Sequence, residues 1–134
     1  MDTEFPVFVA LEDRSVRLVR NEHDLGWFER IDIEDGEYKL CWDRWGRPQQ
    51  LAWHDGACVE PRSLPAEPSV VLEAIINWAE SERVTVDFVD DPVVLWQRID
   101  DALKQRWRKL SFFGKAARFL RGEGWGRSQA GSDE

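Results

Sequence analysis

The sequence predicts an α+β fold: an antiparallel sheet, made of a hairpin plus a meander, with helices packed on one face. Three observations predict it. Short segments of period-two alternation fill residues 5–60, most of them ended by a turn signal. Segments of helical period dominate residues 69–121. Most strands come as a run of neighbours instead of alternating with helices, as parallel sheets require. The element order read from the chain is β-β-α-β-β-β-α-β-α-α.

Phe5–Leu11 is apolar and β-rich, Asp13-Arg14 is a turn signal, and Ser15–Arg20 alternates with Val16 and Leu18 on one face. Together they read as the first hairpin. Asn21 then caps a short helix, because its side chain can accept an amide two or three residues on. Glu22 and Asp24 suit the positive end of that helix, which carries Leu25, Trp27 and Phe28 and ends near Glu29. Glu34-Asp35-Gly36 is a turn. In Glu37–Asp43, the residues Tyr38, Leu40 and Trp42 face one way, Lys39 and Cys41 the other. Asp43–Pro48 is the next turn, with Gly46 free to take positive φ. Gln50–His54 returns with Leu51 and Trp53 in phase, so Trp42 and Trp53 are expected to form a cross-strand pair. Asp55-Gly56 is a hairpin signal, and Ala57–Glu60 completes the meander.

Pro61, Pro65 and Pro68 stop the meander. Ser69 is the expected cap of a helix over Val70–Glu82, whose apolar face is Val71, Leu72, Ile75, Ile76, Trp78 and Ala79. Val84, Val86 and Phe88 alternate with Thr85 and Asp87, which predicts a further strand. Asp91-Pro92 is a strong helix start. Pro92–Lys109 follows, with Trp96, Ile99, Leu103, Trp107 and Leu110 at spacings of three and four, and a second amphipathic stretch, Ser111–Arg121, succeeds it. Trp27, Trp78, Trp96 and Trp107 lie on apolar helix faces and are expected in the core. Residues 1–121 read as a single domain, and 122–134, rich in Gly, Ser and charge, as a flexible tail.

Hydrophobic residues make up 43% and charged residues 33%, a globular balance that excludes disorder over most of the chain. The longest uninterrupted apolar run, Val7–Leu11, is far too short for a transmembrane helix. The acidic start Met1-Asp2-Thr3-Glu4 lacks a signal-peptide pattern, so a cytoplasmic protein is expected. With 18 Lys+Arg against 26 Asp+Glu, the net charge is −8. It is uneven: residues 1–91 hold 9 basic and 21 acidic side chains, residues 92–121 hold 8 basic and 2 acidic. An acidic body repels phosphate backbones, which disfavours nucleic acid as a partner. Such charge serves either simply to keep the protein soluble or to attract a basic protein surface and speed that encounter.

Reactive constellations are few. Cys58 and His54 can meet across the Asp55-Gly56 turn, as a thiolate–imidazole pair requires, but no family signature surrounds them. Cys41 and Cys58 fit more simply as small core residues. The spacings of His23, Cys41, His54 and Cys58 match no common zinc pattern, so no metal and no cofactor are expected. Gly122-Glu123-Gly124-Trp125-Gly126 lacks the strand before it and the helix after it that a phosphate loop needs. Asp90-Asp91 is explained by capping. Asp32, Glu34, Asp35 and Glu37 cluster around one turn and read as a solvated edge or a protein-binding patch, not an acid–base pair. Trp45, beside Gly46 and between Arg44 and Arg47, either folds back over the sheet or serves as an interface hot spot, whose composition this is. Past residue 111, Phe112, Phe113, Ala116, Phe119 and Leu120 share one helix side and Lys115, Arg118 and Arg121 the other. That layout serves docking on the acidic body, on an anionic membrane or in a partner's groove.

The stretch Trp27-Phe28-Glu29-Arg30-Ile31-Asp32-Ile33-Glu34-Asp35-Gly36-Glu37-Tyr38, followed by Trp42-Asp43-Arg44-Trp45-Gly46-Arg47-Pro48, resembles small uncharacterised bacterial proteins, some of the immunity-protein type found in contact-dependent toxin systems. The resemblance implies inhibition by binding: a small acidic cytoplasmic protein covering a toxin's site. It fixes no binding residue.

The expectation is therefore a non-catalytic acidic domain that binds a basic protein, with an immunity or inhibitor role its most specific form. Its expected surface is Asp32, Glu34, Asp35, Glu37, Asp43 and Trp45, the acids steering and Trp45 anchoring. A peripheral membrane protein using Phe112, Phe113, Lys115, Arg118, Phe119 and Arg121 is the first alternative. A small enzyme using Cys58 with His54 is the second.

Overall fold

The computed structural model describes residues 2–120, with side chains described except at Lys39 and over 111–120. Five strands form one antiparallel sheet: β1 (Val7–Leu11), β2 (Val16–Val19), β3 (Tyr38–Trp42), β4 (Pro48–Trp53) and β5 (Ala57–Pro61). The order across the sheet is β2-β1-β3-β4-β5, a hairpin joined to a meander as expected. Between β2 and β3 lie a 3-10 helix (Glu22–Trp27) and the short α1 (Arg30–Glu34); α2 (Pro68–Ser81) and α3 (Pro92–Leu120) follow the sheet. The fold is α+β.

The caps explain where helices begin. Asn21 Oδ1 accepts from the Asp24 amide at 3.2 Å, starting the 3-10 helix. Asp91 Oδ1 accepts from the Val93 and Val94 amides at 3.0 and 3.2 Å, starting α3 with Pro92 at its first position. The expected cap at Ser69 is not used: α2 begins at Pro68, with Glu67 in the cap position and no side-chain cap bond. The Val70 amide meets the Glu67 carbonyl at 3.0 Å instead.

Both sheet faces are covered at β1. On one face Val7, Val9, Val19 and Cys41 are buried with Leu25 and Phe28, and Ile33, Tyr38, Leu51 and Val59 pack against them. Phe8 and Trp42 point the other way and are also fully buried. Helix α2 and the first turns of α3 pack on one side of the sheet: α2 touches β2, Trp96 Nε1 donates to the Val16 carbonyl at 2.6 Å, and Trp78 stacks on Trp96 with ring centroids 5.8 Å apart. Among the described residues of these helices, Val71, Ile75, Leu95 and Ile99 are the most deeply buried. Each contributes about 1.5–3 kcal/mol of hydrophobic stabilisation.

Four expectations are corrected. Val84–Phe88 forms no strand. Its extended chain links α2 to α3, the Val84 amide is spent on the Ala79 carbonyl and the Asp87 carbonyl accepts from Arg98 Nη1. Alternation reports two environments, not a ladder partner. Tyr38 lies on the Cys41 face because the β1–β3 register jumps from Ala10↔Leu40 to Leu11↔Tyr38, a bulge that reverses the side-chain phase. Trp42 and Trp53 do not pair: the tight turn sets Trp42 opposite Pro48, and Trp53 sits opposite Ala57. Trp27 and Trp107 are 73% and 70% exposed, not core, while Trp78 is buried.

The two amphipathic stretches after residue 92 form one continuous helix. The contacts group the chain into two compact units, Met1–Ile99 and Asp100–Glu134. The expected domain limit at residue 121 and the tail lie outside the described residues. In the second unit Lys104 pairs with Asp100 one turn away at 2.9 Å. The side chains of Phe112, Phe113, Lys115, Arg118 and Phe119, and Arg121 altogether, also lie outside what is described.

Candidate interaction surface

The expected partner surface divides into two places. Asp32 and Glu34 lie on α1, and Asp35 and Glu37 on the turn that leads into β3; Asp43 and Trp45 follow β3. A five-residue strand separates them, about 17 Å. The six residues do not form one patch.

The turn after β3 is an internal fastening. Asp43 is 0% exposed, which removes it from any binding surface. Its Oδ1 accepts from the Trp45 and Arg47 amides at 2.9 and 3.0 Å, and its Oδ2 from Arg47 Nε at 2.6 Å. A buried carboxylate survives only with such partners, since it has lost its water. Gly46 sits at φ +80°, where a Cβ would lie 2.7 Å from Pro68 Cα, so glycine is required. Its carbonyl accepts from the Glu67 amide, and Glu67 Oε1 accepts from Trp42 Nε1 at 2.9 Å. The turn is thereby bolted to the start of α2. Trp45 remains 55% exposed, but its Nε1 donates to Glu4 Oε1 at 3.0 Å and Arg44 lies 4.9 Å from its ring centre.

The corner made by the 3-10 helix and α1 has the opposite character. Trp27 is 73% and Ile31 62% exposed. A 3-10 turn brings residues back every three positions, so Leu25 and Phe28 take the core side and Trp27 is left outside. Arg17 of β2 lies 5.8 Å from the Trp27 ring centre. Tyr38 marks the middle of this corner: its ring meets Phe28 edge-on at 4.8 Å. Burial pushes the Tyr38 hydroxyl above its ordinary range, Asp32 adds to this, Arg17 offsets part, and Glu37 and Glu29 push it further. Those acids, Arg17 and Trp27 therefore share one locality. Arg30 and Glu34 pair at 3.0 Å on its exposed side. Trp27 and Ile31 are the exposed apolar residues that sequence reasoning missed as surface anchors.

A third place gathers reactive side chains. His54, Cys58 and Glu60 on the β4–β5 hairpin have their ligand atoms within 4.8 Å of one another. His54 Nε2 stands 3.0 Å from Glu60 Oε2. Burial pushes the Cys58 thiol up, Glu60 adds to it, and a backbone hydrogen bond involving His54 offsets part. A thiol so held is protonated at neutral pH, the reverse of an activated nucleophile. Cys41 is buried in the core and pushed up to about 12, first by burial and then by Asp43.

Comparison with family models, curated proteins and solved structures finds no match. No helix among the described residues is long and apolar enough to cross a membrane.

Proposed function

We propose that this chain is a non-catalytic acidic binding protein of the cytoplasm, and that its working surface is the corner formed by the 3-10 helix and α1. The observation that carries this reading is that Trp27 and Ile31, two large exposed apolar side chains, lie in one short segment that also carries Glu29, Asp32, Glu34, Asp35 and Glu37. Aromatic residues dominate binding energy at interfaces, and the surrounding charge sets partner sign and encounter rate. The partner is a basic protein. Neutralising such a partner, as an immunity protein or inhibitor does, is the most specific form of the proposal. Trp45 is not its anchor, because its indole N–H is already donated to Glu4 within the chain.

The test is affinity capture from the native cell, with identification of the retained protein and a salt series. The reading expects a basic partner released by salt, and lost when Trp27→Ala is combined with Asp32→Asn and Glu37→Gln. Retention by that triple variant overturns it.

A second reading draws on Trp107 and Leu110, which are exposed on α3 just before the basic stretch 112–121. It makes this helix a membrane-surface segment. Flotation with anionic vesicles, with and without residues 112–121, tests it; absence of flotation ends it.

A further inference from the structure

The hairpin formed by β4 and β5 builds a compact set of donors that sequence spacing alone did not reveal. Its register pairs Ala52 with Cys58 and Gln50 with Glu60. Side chains alternate along a strand, so His54, Cys58 and Glu60 share one face of the ribbon. His54 lies across from Gly56, whose carbonyl its amide meets at 2.9 Å. Gly56 has no side chain, and Ala52 opposite Cys58 has a small one. The imidazole is therefore free to lean along the ribbon. Glu60 stands four residues beyond Gly56, about 13 Å along the strand, yet its carboxylate reaches within 3.0 Å of His54 Nε2. The two side chains must converge over Cys58, which lies between them, and all three donor atoms fall within 4.8 Å of one another.

We propose that His54, Cys58 and Glu60 form a site for a zinc ion, with solvent in the fourth position. Tetrahedral zinc with sulfur at about 2.3 Å and nitrogen or oxygen at about 2.0–2.2 Å sets donors roughly 3.3–3.7 Å apart. The His54–Glu60 separation of 3.0 Å opens slightly and any wider separation, none above 4.8 Å, closes to reach that range. His54 and Glu60 are more than half and half exposed, so their rotation disturbs no packing. The donor set selects the metal: a thiol and an imidazole suit zinc, whereas calcium and magnesium demand oxygens. The hairpin supplies every ligand, so the site is local and does not depend on the partner surface at Trp27.

The experiment adds zinc to the reduced full chain by calorimetry and uses cobalt as a coloured substitute. One equivalent is expected to bind, and the cobalt form is expected to show a thiolate-to-metal charge-transfer band with the visible absorption of tetrahedral coordination. Cys58→Ser should remove the band and weaken zinc binding by about tenfold or more, and His54→Gln should weaken it comparably. His23→Gln, at an exposed histidine remote in sequence, should leave binding unchanged. All these sites are exposed or half-buried, so the variants fold. Absence of the band, or zinc binding undiminished in Cys58→Ser, overturns the proposal.

Discussion

The turn at 43–47 and the corner at 27–37 each hold a tryptophan, an arginine beside its ring and several carboxylates, yet they spend these groups differently. In the turn, the Asp43 carboxylate accepts three hydrogen bonds from within five residues, and Trp45 donates to Glu4. Its chemistry is consumed in holding β3, β4 and the start of α2 together. At the corner, Trp27 and Ile31 face solvent, and most of the acids do too. Residue type alone does not separate a fastening from a binding surface. What separates them is where the hydrogen bonds go.

Breaking the turn should cost most. Asp43→Ala leaves the Trp45 and Arg47 amides and the Arg47 guanidinium short of a partner, and is expected to destabilise by about 3–5 kcal/mol in urea unfolding. Gly46→Ala meets Pro68 backbone at 2.7 Å and strains a left-handed φ. A loss of more than about 2 kcal/mol is expected by the same measurement. An Asp43→Ala protein as stable as the parent would break the contrast between the two regions.

Alkaline pH tests the core side of the same strand. Cys41 ionises near 12 when folded but near 9.0 when exposed. Between those values the folded chain binds more protons, so stability is complete below about 9 and falls as pH rises toward 12. Cys41→Ala should flatten that decline in thermal melts recorded from pH 8.5 upward. The slope of stability against pH is the readout, since the variant also starts from lower stability.

At the corner the expected stability effects are small. Trp27→Ala should change unfolding free energy by no more than about 0.5 kcal/mol, because the side chain lies mostly in solvent. Glu34→Gln, which breaks the exposed pair with Arg30, should cost less than about 0.5 kcal/mol.

Much of the fold is legible in the sequence because local chemistry decides it. Asn21 and Asp91 cap where their side chains can reach free amides, and the turn residues set the meander. Other features depend on partners that a linear reading does not contain. Val84–Phe88 has the rhythm of a strand but no neighbour in the sheet. Tyr38 changes face because a bulge in the β1–β3 register resets the count. Trp27 leaves the core because its helix is 3-10, whose tighter winding turns it outward. The acids at 32–37 read from the sequence as a possible binding patch, but the exposure of Trp27 and Ile31 beside them does not. Glu60 joined His54 and Cys58 only once the hairpin register was known.

The central claim is tested most directly by comparing two single variants against the basic partner recovered with the native chain. Binding constants for Trp27→Ala and Trp45→Ala would be measured at low and at physiological salt. Trp27→Ala is expected to weaken binding by about tenfold or more at both salts, and Trp45→Ala to leave it within about twofold. Equal losses, or a larger loss at Trp45, would contradict the assignment of the binding surface to the corner at 27–37.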